Sequence, residues 1–226
     1  MSIWAISDLH LPAGVKPMDV FGSHWKDHCE RIRLNWLERV ASDDIVLLPG
    51  DLSWAMNLSE FAQDAQYLGE LPGQKLLVRG NHDYWWSSIG RVRAALPKGC
   101  LALQNDFVLM DGMLFAGSRG WLLPSCFTDA SDEKYYQRER IRLELSLQAA
   151  RSVSQTAPLY ALIHYPPCTS TDEGFSDLLE KYKVNTVVYG HLHGTAIAGA
   201  FRGIKNGIRY ELCSCDSIGF APMLVV

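Results

Sequence analysis

Six short apolar runs punctuate the chain: Ile3–Ile6, Ile45–Leu48, Lys75–Val78, Leu114–Ala116, Leu159–Ile163 and Thr186–Tyr189. Each is too short for a helix, and several are apolar on successive residues, the pattern of strands covered on both faces. Helical periodicity fills the gaps. Cys29, Ile32, Trp36, Leu37 and Val40 form one apolar stripe; Phe61, Ala65 and Leu68 form another, with Asn57 and Glu60 spaced as a capping pair. A polar-rich helix is predicted over about Asp132–Ser152, another over Asp172–Tyr182, and further strand from Ile208 to Val226. Strand alternating with helix predicts an α/β fold. No repeat or low-complexity linker divides the chain, so it reads as one domain over residues 1–226, with 118–158 as a candidate lid or insertion.

Five of the runs end directly in polar clusters. Ile3–Ile6 leads into Ser7-Asp8-Leu9-His10, Ile45–Leu48 into Pro49-Gly50-Asp51, and Lys75–Val78 into Arg79-Gly80-Asn81-His82-Asp83. Leu159–Ile163 leads into His164-Tyr165-Pro166-Pro167, and Thr186–Tyr189 into Gly190-His191-Leu192-His193-Gly194. Thirty residues separate Asp51 from Asn81 and 27 separate His164 from His191, each interval the length of a βαβ unit. Strand direction is kept across such a crossover, so the clusters should emerge together at the carboxyl edge of a sheet, where ligand sites form.

Composition narrows what that rim can do. The 226 residues are 48% hydrophobic and 20% charged, an ordinary globular balance that excludes collagen-like and disordered classes. Lys and Arg number 21 against 25 Asp and Glu, a net charge of −4, so the basic footprint of a long-nucleic-acid binder is missing. An anionic substrate would then need a local cation. The six cysteines form no C-x-x-C pair, which predicts reduced thiols and a cytoplasmic setting. No signal peptide and no apolar run near the ~20 residues of a membrane span are evident.

The rim would gather Asp8, His10, Asp51, Asn81, His82, His164, His191 and His193, with five of the chain's seven histidines among them. Unpaired, such groups at the ends of buried strands cost several kcal/mol each, and bound metal removes that cost. Imidazole, carboxylate and amide oxygen without thiolate suit Mn, Fe or Zn better than Mg or Ca alone. The donors outnumber what one ion needs, so two divalent ions are inferred, and a carboxylate such as Asp51 can bridge them. Paired ions attract an anion and supply hydroxide near neutral pH, which fits phosphoester hydrolysis.

Asp8-x-His10, Gly50-Asp51, Gly80-Asn81-His82-Asp83, His164 and Gly190-His191-x-His193 occur in the order found in the calcineurin-like metallophosphoesterase superfamily, and the chain resembles its small bacterial phosphohydrolases. The resemblance implies a central β-sandwich flanked by helices, with the metal site at the C-terminal edge of the strands. It implies Asp8, His10 and His193 on one metal, Asn81, His164 and His191 on the other, and Asp51 bridging. It further implies a bridging hydroxide attacking phosphorus directly, with His82 as a non-ligand that protonates the leaving oxygen or steadies the phosphate, and Asp83 holding its ring. Purple acid phosphatases carry a tyrosine three residues past the bridging aspartate; here that position is Trp54, so their iron–tyrosinate colour is not expected.

The expected substrate is a small phosphomonoester, phosphodiester or nucleotide, with no long nucleic acid and no membrane as partner. A metal-poor scaffold on the same fold and a nuclease are the competing readings. Trp54, Tyr84, Trp85 and Trp86 follow metal motifs directly and are divided between core and an aromatic wall, Trp54 and Trp85 being the substrate candidates. Arg119, in the turn Gly117-Ser118-Arg119-Gly120, is a candidate phosphate fork, whereas Arg79 reads as a solvated salt bridge. Asp132–Arg142 reads as an exposed helix face, His24 and His28 as surface residues, and Cys213 and Cys215 as buried thiols.

Overall fold

The computed structural model describes residues 1–14 and 16–226. Strands β1 (Ile3–Ala5), β2 (Ile45–Leu48), β3 (Gln74–Leu77) and β4 (Cys100–Ala102) run parallel in one sheet, edged by antiparallel β11 (Met223–Leu224) in the order β11-β1-β2-β3-β4. The second sheet holds β5 (Phe107–Met110), β6 (Met113–Ser118), β7 (Leu159–Ile163), β8 (Thr186–Tyr189), β9 (Gly203–Lys205) and β10 (Ile208–Leu212) in the order β5-β6-β7-β8-β10-β9. Its four central strands are parallel.

The continuous apolar runs follow from a sandwich covered on both sides. Ile45 and Leu47 of β2 face Tyr160 and Leu162 of β7 in the core between the sheets, whereas Val46 and Leu48 pack outward with Trp36 and Phe61. Helices α1 (His28–Arg39), α2 (Leu58–Glu70) and α3 (Ile89–Ala95) cover the first sheet, and α4 (Ala130–Val153) and α5 (Ser176–Lys181) the second. Asn57 caps α2 as its spacing predicts, accepting from the backbone N–H of Ser59 and Glu60 at 3.0 and 3.1 Å.

Two readings need correction. The tail is interrupted: between β10 and β11 it forms a short 3-10 turn, Cys215–Ile218, because Cys215 leaves the sheet to donate its N–H to the Ser7 carbonyl. The Asp132–Arg142 stretch is no uniformly exposed face, since Asp132, Tyr136 and Glu139 are buried. Within the candidate lid, residues 130–153 form a helix that seals the second sheet. Leu143, Leu147 and Ala150 lie in that core, and the Ser146 hydroxyl accepts from Gly117 N–H at 2.9 Å and donates to the Asp106 carbonyl.

Where β2 and β3 end, their loops touch. A methyl group on Gly80 would overlap the carboxylate and backbone nitrogen of Asp51, so only glycine lets the two loops close. Gly80→Ala is expected to lose about 1–3 kcal/mol of stability, as overpacked sites do, together with metal binding; denaturant melts and elemental analysis check both.

Candidate active site

All seven expected ligands meet at one rim. Asp8, His10, Asp51 and His191 each adopt positive φ, between 44° and 73°, the left-handed conformation that Asp and His tolerate better than most residues. It turns their side chains inward from the strand ends. Asp8 and His164 are fully buried, His10 and Asp51 nearly so. Asp8 Oδ1 lies 3.4 Å from His193 Nε2 and 4.0 Å from His164 Nδ1. Asp51 Oδ2 stands between the two halves, 4.0 Å from His10 Nε2 and 3.4 Å from His164 Nε2. Asn81 Oδ1 approaches His164 Nε2 at 2.7 Å and His191 Nδ1 at 2.9 Å. Two sets of donors have the spacing of a cation site: Asp8, His10 and His193, and Asp8, Asp51 and His164.

Tautomers decide what these contacts are. A carbonyl only accepts, so His164 Nδ1 donates to Pro49 at 3.0 Å and its Nε2 is left as a lone pair. That lone pair faces two oxygens, from Asn81 and Asp51. His193 Nδ1 likewise donates to Asp216 at 2.9 Å, which aims Nε2 at Asp8 Oδ1, 3.4 Å away. His10 Nδ1 and His193 Nε2 are buried without a hydrogen-bond partner among the described residues. Lone pairs converging on lone pairs are the donor chemistry of a divalent cation, and the residues fit that group.

Asp83 has a different task from the one expected. Its oxygens accept from the backbone N–H of Asp51, Leu52, Ser53 and Gly80 and from Trp85 Nε1, at 2.7 to 3.3 Å. They pin the β2 and β3 loops together, while His82 Nδ1 has no partner among the described residues. His82 is held through its backbone, whose N–H donates to Asp51 Oδ1 at 2.8 Å.

Beside the donors lies an apolar cleft of about 400 Å³ lined by His10, Met18, Phe21, Trp25, Trp54 and His82. Trp54 stacks on His10 with 4.8 Å between ring centroids, and Phe21 stacks on Trp54 at 6.4 Å. Trp85 is no part of this wall; it is buried, stacked on Phe61 at 3.6 Å. Trp86 is buried too, and Tyr84 is exposed. Arg119 lies instead 3.7 Å from Glu139 and over the Trp121 ring, and Arg79 has no acidic partner among the described residues. His28 is buried rather than superficial, its Nε2 donating to the Leu9 and His10 carbonyls. Asp216, Trp25 and His28 are the supporting residues that the motifs do not flag.

The model of the calcineurin-like phosphoesterase family matches residues 1–195. Among solved structures, the chain resembles the protein of unknown function AQ665 from Aquifex aeolicus, with 15% identity, a TM-score of 0.50, and 99% of this chain and 95% of that one covered. It also resembles the phosphopantetheinyl hydrolase PptH from Mycobacterium tuberculosis, with 17% identity, a TM-score of 0.55, and 94% and 88% covered. Identities this low speak for a shared fold alone. No curated protein matches the sequence, and among the described residues no helix is long and apolar enough to cross a membrane.

Protonation follows from burial. Desolvation pulls His164 down to about 3 and His191 to about 4. Burial also works against charge on His193, but the hydrogen bond to Asp216 and the negative charge of Asp8 3.4 Å away override it and raise the ring to about 10. His193 thus carries a proton at neutral pH that an ion would have to displace. Two outcomes are expected. Metal uptake near pH 7 releases protons, measured by calorimetry in buffers of different ionisation enthalpy. The chelator-treated chain loses stability as pH falls from 6.5 towards 3, where only the unfolded state protonates His164 and His191, and again as pH rises from 6.5 through 10, where His193 gives up its proton. Melting temperatures across that range check the shape; a flat profile contradicts it.

Proposed function

The chain belongs to the calcineurin-like phosphoesterase family and is a metal-dependent phosphoester hydrolase; we propose that it cleaves a small phosphoester whose leaving group is aromatic or otherwise apolar, the whole chain acting as one catalytic unit. One observation carries this reading: the apolar cleft of Trp54, Trp25, Phe21 and Met18 opens directly on His10, His82 and His193. A phosphoryl group among the donors would leave its ester substituent in that cleft. The intact donor set argues against a metal-poor scaffold, and the net charge of −4 against a nuclease for long polymers.

In this reading Asp8, His10 and His193 would hold one divalent ion and Asn81, His164 and His191 a second, with Asp51 available to either. Nitrogen and oxygen donors without thiolate favour Mn, Fe or Zn. When bound, such ions supply positive charge that polarises the phosphoryl group and lowers the pKa of water to near neutrality. The other steps belong to side chains. Asp216 and the Pro49 carbonyl fix the tautomers of His193 and His164, and Asp83 keeps the Asp51 and Asn81 loops in register. Burial lowers the His82 pKa, with Asp8 opposing and His193 and Lys16 reinforcing. Its ring is therefore neutral in the free site, and an arriving phosphoryl anion restores its proton affinity. His82, flanked by Trp54 at 4.6 Å, then donates a proton to the leaving oxygen.

His82→Ala is expected to lower kcat by about 10²–10⁴ while the metal content stays that of the parent protein; an unchanged kcat removes His82 from proton transfer. Trp54→Ala should raise KM for aryl phosphates by about tenfold, the size of one aromatic stacking contact, and leave methyl phosphate unaffected. Steady-state kinetics on both esters separates the two effects, and chelation should abolish turnover of either.

A further inference from the structure

A cavity of about 200 Å³ opens at the same rim, one strand along from the donor cluster. Arg79 enters it from the end of β3, Gln104 and Asn105 from the end of β4, Ser118 and Arg119 from β6. Helix α4 closes it with Arg138, Glu139 and Arg142. Four guanidinium groups thus surround one carboxylate.

An ion-pair network that merely clamps α4 to the sheet would match its charges one for one. Here Glu139, 1% exposed, offers a single oxygen to three arginines: Oε1 lies 2.9 Å from Arg142, 3.3 Å from Arg138 and 3.7 Å from Arg119. Arg79 has no acidic partner among the described residues, and the Nε atoms of Arg79 and Arg119 are buried without a hydrogen-bond acceptor. Burial pulls the Arg119 guanidinium below its ordinary value, against the pull of Glu139. Positive charge is therefore in excess, four guanidinium groups to one carboxylate whose Oε2 is itself unpaired among the described residues, in a chain whose net charge is −4. A tetrahedral dianion would balance that excess and reach the unpaired Nε–H groups, because its oxygens can accept from several guanidinium forks at once.

We propose that the cavity bounded by Arg79, Arg119, Arg138 and Arg142 binds a phosphoryl group other than the one hydrolysed. Resting on the hydrolase reading above, this narrows the substrate class to esters carrying a second phosphate, the other source of the same chemistry being free inorganic phosphate. The spacing suits a substrate of nucleotide size. Arg79 is two residues from Asn81, so their Cα atoms are at most about 7 Å apart, and one molecule can reach from the donor cluster into the cavity.

Two measurements on the metal-loaded, full-length protein test this. Titration calorimetry with inorganic phosphate should show a site that weakens at least tenfold in Arg79→Gln, which leaves no carboxylate unbalanced, and in Arg142→Gln. Kinetics should then compare a nucleoside 3′,5′-bisphosphate with the corresponding 5′-monophosphate. A KM at least tenfold lower for the bisphosphate, erased in Arg79→Gln, assigns the cavity to the substrate's own second phosphate. No such gap, with the calorimetric site present and arginine-dependent, assigns it to free phosphate. Equal phosphate affinity in the parent and both variants overturns the proposal. A chain that hydrolyses neither ester sinks the functional reading instead, and the titration still decides the cavity.

Discussion

Three acceptor atoms that converge on one point, His164 Nε2, Asn81 Oδ1 and Asp51 Oδ2, are the constraint on which the molecule's design rests. Buried groups of this kind have few ways to be satisfied. Protonating His164 is opposed by complete burial, and its other nitrogen is already committed to Pro49. The fold maintains the conflict because it holds the loops from several directions. Asp83 ties the β2 and β3 loops, and the Asp8 carboxylate accepts from Ser7 and from the His191 backbone, joining the first strand to the eighth. Left-handed backbone at four site residues adds strain of about 1–3 kcal/mol each, which a sandwich with both sheets covered can absorb.

Much of this was readable in the chain, for a definite reason. Strands buried on both faces show as unbroken apolar runs, and β2, β7 and β8 fall at the predicted residues. Motifs that follow such runs inherit a place at the carboxyl edge, so the positions of Asp51, Asn81, His164 and His191 could be inferred from strand direction. The elements that escaped are short or half-covered. β5, Phe107–Met110, is only partly buried, and α3 has seven residues, too few to display a period.

The supporting residues were hidden for another reason. Asp216 aligns His193 from a 3-10 turn that no periodicity marks, and nothing in its neighbours distinguishes it from an ordinary turn aspartate. Asp83 was flagged by its motif, but a motif specifies adjacency and not orientation: its carboxylate turns toward backbone N–H groups rather than the ring of His82. In Tyr84-Trp85-Trp86, consecutive aromatics leave the loop in different directions. Burial and stacking on Phe61, which sequence spacing does not encode, settle which of them belong to the core.

The charges are placed with the same economy. Carboxylates at the rim are few and buried: Asp8 and Asp51 lie within the donor cluster, and Glu139 lies within the arginine cavity, where one carboxylate faces four guanidinium groups. The remaining acidic residues carry the chain to a net charge of −4. In the proposed reading, that negative net charge disfavours long polyanions, whose many phosphates must also lie along the outer surface. A small anion placed wholly inside the rim escapes that penalty. The apolar cleft and the arginine cavity then divide the rim by polarity, one open to an ester's carbon skeleton and the other to its charge. The selectivity proposed for a compact phosphorylated molecule then rests on where charge is withheld as much as on where it is supplied.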